Sequence, residues 1–173
     1  MASWRGLRLL LGGSTRRWER PFPQSDQSLR IDAAVLRHLR RHRQVKSSAR
    51  EAGGQLYGRV TNELVTVSHT AGPHASDERG RFAFRSDPQR AQADIERFAG
   101  RRLLYLGEWH THAEAVPHAS ASDEHAMRQI YVRSQLNTAA LLLVIVGFAK
   151  PDEDIGVWYI DAGGLLRSVA RNS

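Results

Sequence analysis

The sequence contains no cysteine. Disulfides and cysteine-held zinc are therefore excluded, and any metal site has to be built from His, Asp or Glu. The absence also fits a reducing compartment. Lysine is nearly missing: Lys46 and Lys150 are the only two, so arginine carries almost all of the positive charge behind the formal net +7. GC-rich coding accounts for such a bias, and a basic surface also steers acidic partners. The arginines are spread along the chain, with one local run at Arg37, Arg40, Arg41 and Arg43. There is no aromatic-studded ribonucleoprotein strand and no Cys/His finger, so net charge alone argues for nucleic acid, and no such partner is expected. No stretch approaches the roughly 20 apolar residues of a membrane span. The longest apolar run, Ala139 to Phe148, has the length of a core strand. No membrane partner is expected, and the cytoplasm is the default location.

What remains is ordinary globular material. The 173 residues are 41% apolar, which suits one domain with one core. The opening MASWRGLRLLLGGSTRRWERPF is arginine-rich and acid-poor until Glu19, faintly like a transit peptide. Its apolar run is too short for a secretory signal. Residues 1–27 read as an N-terminal arm or edge strand, with a strand in WRGLRLLL and a loop in RPFPQSDQ. Residues 28–173 read as the single domain.

From Ser28 the pattern turns helical. Ile31, Val35, Leu36 and Leu39 share a face, which predicts a helix over about 31–43. EAGGQLYGRV reads as a turn leading into a strand, with Gly53-Gly54 as the turn. LVTVSH alternates and predicts a second strand. Residues 71–80 are polar and punctuated by Gly and Pro, which marks a surface loop, and RFAFR is a short strand. Asp87-Pro88 opens a helix to about Phe98, stopped by Gly100. Leu103 to His112 is a strand, 113–119 a loop, and Ser120 to about Arg133 a helix. Ala139 to Phe148 is too apolar to face water and predicts a central strand. Gly156–Ile160 and Leu165–Val169 form a closing hairpin. Strands and helices mix without regular βαβ alternation, so the class is α+β.

One stretch carries chemistry: residues 107–123, GEWHTHAEAVPHASASD. Alternate side chains of a strand share a side, so His110 and His112 project together, roughly 7 Å apart. Asp123 falls in the first turn of the next helix, and the loop 113–119 can fold that turn back beside the strand. Two histidines and a carboxylate hold zinc and leave its fourth tetrahedral position for water, whose pKa the ion would lower. A carboxylate must then take the water's proton. Glu108 shares the histidines' parity, and Glu51 precedes Gly53-Gly54; spacing does not choose between them. Ser120 is placed to donate to an oxyanion. Each residue also has a plainer role. Ser120-x-x-Asp123 is a helix capping box, and His118 and His125 face solvent or back the ligands.

The order Glu51, His110-Thr111-His112, seven residues, then Ser120-Ala121-Ser122-Asp123 resembles the JAMM/MPN zinc metalloprotease family. EAGGQLYG is similar to that family's acidic residue followed by Gly-Gly and a hydrophobic strand. GEWHTH and FRSDP resemble its bacterial branch, found in integrative elements and antiphage operons beside ubiquitin-activating-like and conjugating-like proteins. The likeness spans roughly residues 28–170. It implies a curved mixed β-sheet packed with helices, similar to the cytidine deaminase-like fold, and one Zn²⁺ per chain. It implies hydrolysis of the amide or isopeptide bond after a ubiquitin-like protein, or maturation of a ubiquitin-like or sulfur-carrier precursor. By position, His110, His112 and Asp123 match the zinc ligands, Glu51 the base, and Ser120 the residue that steadies the oxyanion. The expected partners are a ubiquitin-like protein or its conjugates, with activating-like and conjugating-like enzymes. Ala113 stands where the family commonly has proline, and Pro117 is the only proline of the loop, which bears on loop rigidity. Some members have lost the ligands and act as scaffolds; this chain keeps all of them.

Overall fold

The computed structural model describes residues 18–46 and 48–169. The strand anticipated in WRGLRLLL lies outside them. Described elements run β1 (Trp18–Pro21), β2 (Ser28–Ile31), α1 (Ala33–Arg41), β3 (Gly53–Val60), β4 (Leu64–Thr70), β5 (Glu78–Arg79), β6 (Phe84–Arg85), α2 (Pro88–Ala99), β7 (Leu104–Thr111), α3 (Ala121–Arg133), β8 (Ala140–Val146), β9 (Ile155–Asp161) and β10 (Leu166–Ser168). One mixed sheet has the order β1-β2-β4-β3-β7-β8-β9-β10, and β5-β6 is a separate ribbon. The pairs β2–β4 and β7–β8 are parallel; the others are antiparallel. This is the expected α+β class, with helices on both faces.

β8 shows how the sequence builds the layers. Leu142, Val144 and Val146 join the core shared with Val35, Leu36 and Leu39 of α1, whereas Leu141, Leu143 and Ile145 pack with Met127 of α3. A strand buried on both faces reads as a continuous apolar run, and each fully buried aliphatic side chain contributes about 1.5–3 kcal/mol. Phe98 of α2 stacks on Tyr57 of β3, ring centroids 4.1 Å apart, in a smaller cluster with Ala71 and Leu103.

Several sequence expectations need correction. The helix begins at Ala33, because Ser28–Ile31 is a strand parallel to β4, with Leu29 and Ile31 both buried. Leu29 and Ile31 satisfy the two-residue period as well as Ile31 fits the helical one, and sheet pairing decides. Gly53-Gly54 is not a turn but the start of β3. A side chain at Gly53 would run into the Phe84 ring and the Trp109 carbonyl, and one at Gly54 into the Ala71 carbonyl. Within RPFPQSDQ, Arg20 and Pro21 belong to β1, and the loop follows them.

Part of the arginine run of α1 is internal structure. Asp154 is 0% exposed and accepts from Arg40 Nε at 2.7 Å and Nη2 at 2.9 Å. Arg43 binds the same carboxylate. These contacts tie the end of α1 to the turn before β9.

Candidate active site

β7 supplies His110 and ends at Thr111, so His112 is the first residue after the strand, and a bulge determines what stands beside them. Leu56 of β3 pairs with Gly107, yet Tyr57 pairs with Tyr105, so Leu106 is the extra residue. Such an insertion reverses the facing of everything beyond it. Tyr105, Glu108 and His110 therefore share the α3 face, while Leu106 and Trp109 enter the α1 core. Gly107 has φ +140°, and a Cβ there would collide with the Leu142 carbonyl.

His110, His112 and Asp123 come together. His110 Nε2 lies 3.0 Å from His112 Nε2 and 3.2 Å from Asp123 Oδ1, and His112 Nε2 lies 3.4 Å from Asp123 Oδ2. Donor atoms at roughly 2.0–2.1 Å from a tetrahedral ion stand about 3.3 Å apart. Two imidazole nitrogens and a carboxylate at this spacing fit zinc. Burial raises the Asp123 carboxyl, but hydrogen bonding with His110, the His110 charge and hydrogen bonds from Ser120 outweigh it and hold the group well below the ordinary carboxylate range.

Asp123 also starts its helix. Ser120 N and Oγ each donate to Asp123 Oδ2 at 2.7 Å, and Asp123 N donates back to Ser120 Oγ at 3.2 Å. This is a reciprocal capping box. One carboxylate therefore makes both sets of contacts: Oδ1 faces His110, while Oδ2 takes the cap and also lies near His112 Nε2.

Glu51 is only 6% exposed. Its carboxylate accepts no hydrogen bond among the described residues, and its backbone is clamped. Glu51 N donates to Gly80 O at 2.7 Å, and Arg79 Nε donates to Glu51 O at 2.6 Å. Next to it, Ala52 N donates to Thr111 Oγ1 at 3.0 Å, Thr111 N donates to Ala52 O at 2.9 Å, and Thr111 Oγ1 donates to buried Gln44 at 3.2 Å. Thr111, between the two histidines, thereby ties Glu51 to their strand. Burial and then the negative charge of Asp123 push the Glu51 carboxyl up to about 7. Glu108 is also pushed up to about 7 by burial, against hydrogen bonds from Tyr105 and Gln55. Asp77, rather than Asp123, is the acid whose charge it feels.

Among the other histidines, His125 is exposed. His118, 74% exposed, reaches the site through a residue the sequence reading passed over: Glu114 holds His112 Nδ1 at 2.9 Å and His118 Nδ1 at 3.1 Å. The signal for Glu114 was an acid two residues past a candidate ligand histidine. Gln44, Gln55 and Tyr105 left no such mark, since their roles arise from cross-strand register and the bulge. Beside His110 and Asp123 opens a cleft of about 390 Å³, lined also by Gln55, Phe84, Glu108 and Met127.

Residues 32–160 match the family of prokaryotic homologues of the JAB domain, and the chain belongs to that family. Among curated proteins it is similar to three named CD-NTase/cGAS isopeptidase. The one from Vibrio cholerae is 35% identical over 130 residues, covering 72% of this chain and 79% of the relative. That from Pseudomonas aeruginosa is 32% identical over 122 residues, covering 69% and 77%. That from Escherichia coli is 29% identical over 125 residues, covering 70% and 78%. In fold, the chain resembles a Desulfitobacterium hafniense protein known from its solution structure, with TM-score 0.55, 19% identity, and 78% and 84% of the two chains covered. No helix among the described residues is long and apolar enough to cross a membrane.

Proposed function

We propose that this protein is a zinc-dependent isopeptidase, hydrolysing the amide or isopeptide bond that follows a ubiquitin-like or otherwise conjugated protein. The observation that carries the reading is the convergence of His110, His112 and Asp123 within ligand spacing, beside a buried glutamate whose carboxylate has no hydrogen-bonding partner among the described residues. The name of the curated relatives supports it and suggests a conjugated CD-NTase as substrate. Activating-like and conjugating-like enzymes would make the conjugate that this protein removes. Residues 28–173 would be the catalytic unit.

His110, His112 and Asp123 would hold the zinc, which when bound supplies Lewis acidity and a lowered water pKa. Glu51 acts on protons. A buried carboxylate can take a proton from the attacking water and return it to the departing amine, and nothing among the described residues competes for it. Hydrolysis then adds water across the C–N bond and leaves a carboxylate and a free amine. Ser120 Oγ donates to the oxyanion of the scissile carbonyl by turning away from Asp123 Oδ2. The Ser120 backbone N–H, at 2.7 Å, keeps that oxygen hydrogen-bonded meanwhile.

The test is metal content and turnover of untagged protein. Wild type should hold zinc and release a conjugated protein, and His110→Ala/His112→Ala should do neither. A wild type that stays metal-free when zinc is supplied sinks the reading.

A further inference from the structure

The cleft beside His110 ends on a carboxylate that the proposed hydrolysis leaves unused. Glu108 lies on its floor, where Tyr105 OH donates to Oε1 and Gln55 Nε2 donates to Oε2 at 3.1 Å. Both donors are neutral. No ion pair among the described residues includes Glu108, although the chain has 25 Lys and Arg against 18 Asp and Glu. Arg85, on the same cleft, faces Glu78 at 3.7 Å instead.

Gln55 is buried beside Glu108. Gln55 is 1% exposed and pairs with Glu108 across β3 and β7. Its Nε2 is used by Ser86 at 2.9 Å and by Glu108, and its Oε1 is buried with no partner. A buried acceptor without a donor costs roughly 1–3 kcal/mol. The walls differ in character: Met127, Ile130 and Leu143 are apolar. The cleft therefore sets apolar walls beside a carboxylate that has no cationic partner among the described residues.

We propose that this cleft is a subsite for a lysine or arginine side chain of the substrate near the scissile bond. The alkyl stem lies along Met127, Ile130 and Leu143, and the ammonium or guanidinium meets Glu108. The other residue classes fit worse. An acidic side chain would face Glu108, and an apolar one would strip water from Glu108 without replacing it. A cationic tip forms charge-assisted hydrogen bonds while its stem buries carbon. The assignment of the ligand to a substrate rests on the isopeptidase reading; the binding itself does not.

Nuclear magnetic resonance titration of zinc-loaded wild type with Nα-acetyl-lysine methylamide and with the uncharged norleucine analogue tests the subsite. The lysine probe should bind about tenfold or more tightly and move the Gln55 side-chain amide signals. Glu108→Gln, of the same shape, should bring the two probes to equal affinity. Equal affinity in wild type overturns the proposal without any variant. So does a lysine preference that survives Glu108→Gln, which would put the cation at Asp123 or Glu51. If wild type shows the preference but releases no conjugate, the hydrolase reading fails and the subsite stands.

Discussion

His112 Nδ1 lies 2.9 Å from Glu114 Oε1, while its Nε2 faces Asp123 Oδ2 at 3.4 Å. A carboxylate on one ring nitrogen fixes the tautomer and turns the other nitrogen's lone pair toward the metal position. Glu114→Ala should therefore weaken zinc binding by about 10–100-fold. Competition with a chromophoric chelator measures this directly. An unchanged dissociation constant would reduce the pair to a surface contact.

Glu51→Gln should keep zinc and lose turnover by about 10²–10⁴-fold, the usual contribution of a positioned acid–base group. The amide fills the same space but takes no proton. If the variant cleaves at the wild-type rate, the role passes to Glu108, the other acid on the histidines' side of the sheet.

The same residue links stability to pH in metal-free protein. Its carboxyl is raised from 4.5 to about 7 in the fold. Between those values the native state holds more protons than the unfolded chain. The contribution to stability is thus full below about pH 4.5 and is lost as pH rises through about 7. The loss should be on the order of 2 kcal/mol. Urea unfolding of chelator-treated protein at pH 5 and pH 8 should show a steeper decline for wild type than for Glu51→Gln. Parallel declines would contradict the burial assigned to Glu51.

Ser120 and Asp123 separate by substitution. Ser120→Ala should keep zinc, lose about 0.5–2 kcal/mol of stability from the cap and slow turnover. Asp123→Ala should lose the metal and most activity in addition to a similar cap loss. A metal-replete, active Asp123→Ala protein would leave the residue a cap alone.

The parts of this molecule legible in the sequence are those set by local pattern. The run ALLLVIV announced a strand buried on both faces, and Asp87-Pro88 and Ser120-x-x-Asp123 marked where α2 and α3 begin. His110 and His112 were paired by strand parity alone. What was not legible depends on partners far along the chain. Ile31 fits a helical face until β4 is present to pair with β2. The bulge at Leu106 exists only against Leu56 and Tyr57, and without it Tyr105 and Glu108 would face opposite ways. The Gly53-Gly54 pair read as a turn because Phe84 and Ala71, which demand the missing side chains, lie well away in sequence.

The capping box has one more consequence. The cap contacts that hold Asp123 at the start of α3 come from Ser120 and involve neither histidine. A descendant of this chain that lost a histidine would therefore lose the proposed zinc site and keep the start of α3. Silencing is one codon away from the enzyme, and a silenced copy would still keep the helix start that resembles half of an active site.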